Sequence, residues 1–106
     1  MPKYLQQVSY TTEGLKGLLK DGGSKRQAAI AEAAKSVGGK LEACYFAFGE
    51  SDLYVIVEAP DNASAAAVAL AANARGAARL KTIVLLTPEE IDQATKKTVN
   101  YPQPGQ

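Results

Sequence analysis

Residues 53–59, Leu-Tyr-Val-Ile-Val-Glu-Ala, and residues 79–87, Arg-Leu-Lys-Thr-Ile-Val-Leu-Leu-Thr, carry large apolar side chains at odd and even positions alike. Both segments are rich in β-branched and aromatic residues, which favours extended chain. Successive side chains of a strand point to opposite faces of its sheet. Leu53, Val55 and Val57 therefore oppose Tyr54 and Ile56, while Leu80, Val84 and Leu86 oppose Ile83 and Leu85. A sheet with one face in water shows a clean apolar–polar alternation, and these strands do not. Any fold of this chain has to cover both faces of the sheet they form.

The rest of the chain supplies two more strands and the helices between them. Residues 3–10 predict a first strand, and Thr11-Thr12-Glu13 opens a short helix with Leu15, Leu18 and Leu19 at helical spacing. Asp21-Gly22-Gly23 breaks that helix. Ser24 and Gln27 then predict a capping box for a second helix, with Ile30, Ala33, Ala34 and Val37 on one stripe and Gly38-Gly39 as its stop. Residues 40–48 predict the second strand, placing Leu41, Ala43, Tyr45 and Ala47 on one face and Glu42, Cys44, Phe46 and Phe48 on the other. Gly49-Glu50-Ser51-Asp52 is a turn short enough to imply an antiparallel hairpin into the strand at 53–59. Asp61 is the predicted N-cap of an alanine-rich helix running to Arg75. Thr87-Pro88-Glu89-Glu90 combines a threonine cap, a proline at the first helical position and a closing glutamate, and predicts a last helix to Val99.

The order β-α-β-β-α-β with a terminal helix predicts an α+β, ferredoxin-like domain over residues 1–99 and an extended tail over 100–106. Its sheet has four antiparallel strands, with helices on one face. The other face, carrying Tyr54, Ile56 and Ile83, is expected to pack against a second copy of the chain, because monomers seldom expose large apolar patches. The alternative is that the last helix folds back over that face.

Composition narrows the function classes. Twelve basic and eleven acidic side chains in 106 residues leave a net charge of +1, so no strong field draws the protein to nucleic acid or an anionic membrane. No apolar run approaches the roughly 20 residues that span a bilayer. The chain has no histidine, which removes Ser-His-Asp, Cys-His and histidine-based zinc or haem sites within one chain. Its single cysteine, Cys44, removes cysteine-rich zinc and iron–sulfur sites and any internal disulfide. A reducing, cytoplasmic setting with no cofactor and no metal is the expectation.

Three segments carry a family resemblance: SYTTEGLKGLLKDGGSKR, GGKLEACYFAFGESDLYVIVEAPDN and KTIVLLTPEEIDQA. Over nearly its whole length the chain resembles the GYD family, small proteins named for a Gly-Tyr-Asp signature. Gly49 and Asp52 match the glycine and aspartate of that signature, and Ser51 stands where its tyrosine is expected. The resemblance implies a ferredoxin-like fold of the dimeric α/β-barrel type, in which two sheets face each other. The wider barrel group includes cofactor-free monooxygenases, lactone isomerases and ligand-sensing domains, an analogy of fold that does not fix function.

Few side chains stand out chemically. Asp52 at the hairpin mouth is the candidate catalytic residue, as a general base if burial raises its pKa, or else a turn residue bonding backbone groups. Tyr10, Tyr45 and Tyr54, with Asp52, are the candidate ligand-binding residues beside the sheet; packing is the competing role for each phenol. Tyr4 is a further strand tyrosine. Cys44 reads as a buried apolar thiol, and Lys25-Arg26 and Lys96-Lys97 read as solvated helix faces. Asp21-Gly22-Gly23-Ser24 carries only a weak anion-turn signal, and Asp61-Asn62 reads as a cap. The reading that follows is a small-molecule-binding homo-oligomer without established catalysis. A cofactor-independent isomerase or monooxygenase using Asp52 or a strand tyrosine is the alternative, and a purely structural assembly protein is the third.

Overall fold

In the computed structural model, residues 1–105 are described, and eight elements follow one another along the chain. They are β1 (Lys3–Tyr10), α1 (Thr12–Asp21), α2 (Gly23–Ser36), β2 (Lys40–Phe46), β3 (Leu53–Glu58), α3 (Asn62–Ala74), β4 (Ala78–Leu85) and α4 (Pro88–Thr95). The strands form one antiparallel sheet in the order β2-β3-β1-β4, the ferredoxin-like arrangement with a C-terminal helix.

Local chemistry accounts for the element ends. The Thr11 hydroxyl accepts the Gly14 N–H at 3.3 Å and donates to the Gly76 carbonyl at 2.9 Å, so one side chain starts α1 and ties it to the loop after α3. A Cβ on Gly14 would run into the Ala77 carbonyl, so only glycine allows α1 this close. Gly22, at φ 82°, ends α1 and starts α2. The predicted Ser24–Gln27 capping box does not form, because α2 begins two residues earlier, with Gly22 as its N-cap and no side-chain cap. Asp61 caps α3 as expected, accepting the Ser64 N–H at 2.8 Å. The predicted box at α4 is complete: Thr87 accepts the Glu90 N–H at 3.1 Å, and Glu90 accepts the Thr87 N–H at 3.0 Å.

The helices cover one sheet face. There Tyr4, Val8, Leu53, Val55 and Val57 are buried against Ala34 of α2 and Ala65 of α3. The Tyr4 hydroxyl donates to Asn62 Oδ1 at 2.6 Å and pins β1 to the start of α3. Strand β2 departs from simple alternation. A bulge between Leu41 and Ala43 sets Leu41 opposite Val57 and Cys44 opposite Val55 on the helix side. Ala43, opposite Ile56, and Tyr45, opposite Tyr54, lie on the other side. The expected grouping of Leu41 with Ala43 and Tyr45 is thus corrected: the extra residue at a bulge reverses the parity beyond it. The strand also stops at Phe46, leaving Phe48 fully exposed beyond its end.

Cross-strand register assembles the open face in rows. Lys40, Glu58, Lys3 and Leu85 form one, then Ala43, Ile56, Leu5 and Ile83, then Tyr45, Tyr54, Gln7 and Lys81. Lys3 Nζ binds Glu42 at 2.7 Å and Glu58 at 2.9 Å at the first row. No helix covers these rows. Helix α4 does not fold back: it ends at Thr95, short of the expected Val99, and all its residues are exposed. The Cα radius of gyration is 17.0 Å, against about 13 Å for a compact chain of this length. The predicted tail continues α4 as exposed chain to Gly105; Gln106 lies outside the described residues.

Candidate functional site

Asp52 sits where the β2–β3 hairpin meets the end of β1. Its Oδ2 accepts the Tyr10 N–H at 2.8 Å. Its own N–H donates to the Val8 carbonyl at 2.8 Å, and its carbonyl accepts from Ala47 at 2.8 Å. The residue therefore closes three chain segments together, and one carboxylate oxygen is engaged by backbone. Ser51, in the position of the signature tyrosine, is half-buried and lines a hollow of about 830 Å³ at one end of the open face. Gln7, Ser9, Tyr54, Arg79 and Lys81 also line that hollow.

Tyr10 does not meet the other two candidate tyrosines. Tyr45, 73% exposed, and half-buried Tyr54 are cross-strand neighbours on the open face. Tyr10 is on the opposite, helix-covered side, with its ring against Gly14. Burial pushes its phenol pKa up, and the nearby Arg26 pulls the other way. Asp52 touches Tyr10 through the backbone of β1. Cys44 lies half-buried on the helix side, where burial pushes the thiol pKa up and disfavours a reactive thiolate.

A second concavity lies on the helix side. Helix α2 lies over β2 and α3 over β4, so a crevice of about 560 Å³ opens between them above the central strands. Its walls are short: Ala29 and Ala33 of α2 face Ala67, Val68 and Ala71 of α3. Tyr10, Arg26 and Arg75 line it as well. Beneath it, buried Gln6 lines a void of about 20 Å³ together with Val37 and Val68, two residues shared with the crevice.

Sequence reasoning named Tyr10 but missed Gln6, Arg26 and Arg75. Gln6 left a signal, since it is a polar residue at the inward parity of Tyr4 and Val8. Arg26 left none, because the Lys25-Arg26 pair reads as a solvated helix face; the structure corrects this for Arg26, which is half-buried along the crevice. Among the described residues no three His, Cys, Asp or Glu side chains gather as a metal site, and no helix is long and apolar enough to cross a membrane. A family model described as GYD domain matches residues 4–95. No curated protein and no solved structure matches the chain.

Proposed function

The chain belongs to the GYD domain family, and on that basis we propose that it is a small-molecule-binding domain that works as a homo-oligomer joined through its open sheet face. One observation carries the oligomer. The row Ala43, Ile56, Leu5 and Ile83 runs across all four strands, and neither the helices nor the C-terminal segment covers it. Burying a large aliphatic side chain is worth about 1.5–3 kcal/mol, so a second sheet laid on this row gains substantially. The charged Lys3–Glu42–Glu58 group on one side and Gln7 and Lys81 on the other supply the polar rim that interfaces carry around an apolar centre. A net charge of +1 offers little repulsion between copies.

The hollow beside Tyr54 closes when the faces meet. The helix-side crevice stays open to solvent, so it is the place for a small ligand in the assembled protein, with Tyr10 as its phenol. Its volume falls within the range of small-molecule sites. Asp52 is built into the backbone of the hairpin, which supports a structural role for it. The half-buried single thiol fits a reducing, cytoplasmic setting.

Native mass spectrometry tests the assembly. The wild type at micromolar concentration is expected at two or more times the 11.1 kDa chain mass, and Ile83→Lys at the single-chain mass with an unchanged far-ultraviolet circular dichroism spectrum. A wild type that runs as single chains at that concentration removes the proposal.

A further inference from the structure

The side-chain atoms left without partners on the helix side share one chemistry. Among the described residues, three buried side-chain polar atoms have no hydrogen-bond partner: Gln6 Nε2, Tyr10 Oη and Arg26 Nε. All three can donate a hydrogen bond. Gln6 and Tyr10 share the inward parity of β1, and Arg26 projects from the first turns of α2. Gln6 is only 3% exposed. Buried polar groups are nearly always paired in folded proteins, so an unpaired group beside a cavity marks a place where a partner belongs.

Charge points the same way. Arg26 and Arg75 both line the crevice, and no described carboxylate pairs with either. The one acidic side chain of the lining, Glu13, is largely exposed and faces Lys16 at 4.0 Å. Arg75 and Tyr10 are held at the same end of the crevice, because the Thr11 N–H donates to the Ala77 carbonyl at 3.1 Å. Apart from Gly14, Gly17 and Ser36, the remaining wall is alanine and valine side chains, whose small size makes the room and whose apolar surface matches a hydrocarbon body. A bare inorganic anion would leave that wall unmatched, and an ammonium would meet the two cations Arg26 and Arg75.

We propose that the crevice between α2 and α3 binds a small organic acid, its carboxylate held at the Tyr10–Arg26–Arg75 end and its apolar body lying between the alanine walls. This rests on the reading above that the crevice is a small-molecule site, and adds the class of molecule. Guanidinium groups hold carboxylates through charge-assisted hydrogen bonds, which gives the acid its advantage over a neutral molecule of the same shape.

Isothermal titration calorimetry with octanoate and its neutral amide, octanamide, tests the assignment on the full-length protein. Octanoate is expected to bind saturably at one per chain, and octanamide about tenfold more weakly, a gap of about 1.4 kcal/mol. Arg26→Gln should remove most of that gap by weakening octanoate alone. Ala71→Leu, at an exposed helix position on the crevice wall, should abolish binding of both while the fold persists by circular dichroism. Equal affinity for acid and amide, or an octanoate affinity indifferent to Arg26→Gln, overturns the acid assignment and leaves the small-molecule site standing. Octanoate binding unaffected by Ala71→Leu places the ligand elsewhere and overturns the location. Absence of saturable binding by either probe overturns both readings.

Discussion

Asp52 is tied into the backbone of the sheet. Its carboxylate holds the Tyr10 N–H, a partner 42 positions away, just where β1 hands over to α1. Removing the acceptor leaves a part-buried backbone donor unpaired, so Asp52→Ala is expected to cost about 1–2 kcal/mol in urea denaturation. Asp52→Asn keeps an acceptor oxygen and should cost less. Asp61 makes a different kind of local contact. The Ser64 backbone N–H, then its side chain, holds the Asp61 carboxyl below its ordinary value of 3.8. A carboxyl depressed in the folded state adds stability above that ordinary value and loses it as pH falls through the folded one. The melting-temperature difference between wild type and Asp61→Ala should therefore be full at neutral pH and shrink below pH 3.8. That Asp52 bonds backbone was readable from turn chemistry; that the backbone belongs to Tyr10 was not, since nothing local encodes a contact across the sheet.

At the scale of elements, caps were the most legible feature and strand parity the least. Asp61, and Thr87 with Glu90, are cap chemistry acting over three residues, and the structure follows them. The Ser24–Gln27 pattern failed because Gly22 in the left-handed region already sets where α2 begins. In β2 the bulge after Leu41 reversed the facing of every later side chain, and no residue there announces it. Helix α4 presents a separate case. It has eight residues, all exposed, and isolated helices that short are marginal in water. Its capping box is therefore its main support. Thr87→Ala should cost about 1 kcal/mol of local helix stability. Amide exchange in α4 should accelerate severalfold while the global urea midpoint stays in place; protection that persists would mean α4 is docked.

The whole molecule is a covered sheet face, an uncovered one and a projecting C-terminal arm. Because the arm lies outside the core, its loss should matter little to a single chain. On the Ile83→Lys background, expected to be monomeric, ending the chain at Thr87 is expected to shift the calorimetric melting temperature by less than about 2 °C. A larger drop would show the arm packed on its own domain. The crevice is also a property of the whole. It exists because α2 and α3 stand over the two outer strands and meet the gap with alanines.

By itself the sequence determined the order of elements, most helix starts and the two-sided apolar character of the sheet, because caps, glycine stops and pleat alternation act within a few residues. Tertiary structure decided which side of β2 faces the helices, that Tyr10 parts from Tyr45 and Tyr54, that the last helix leaves the open face bare, and that Gln6, Tyr10 and Arg26 share one side of the sheet with no acceptor among the described residues. These depend on register and on the distance between packed helices, which arise only when segments far apart in the chain settle against each other.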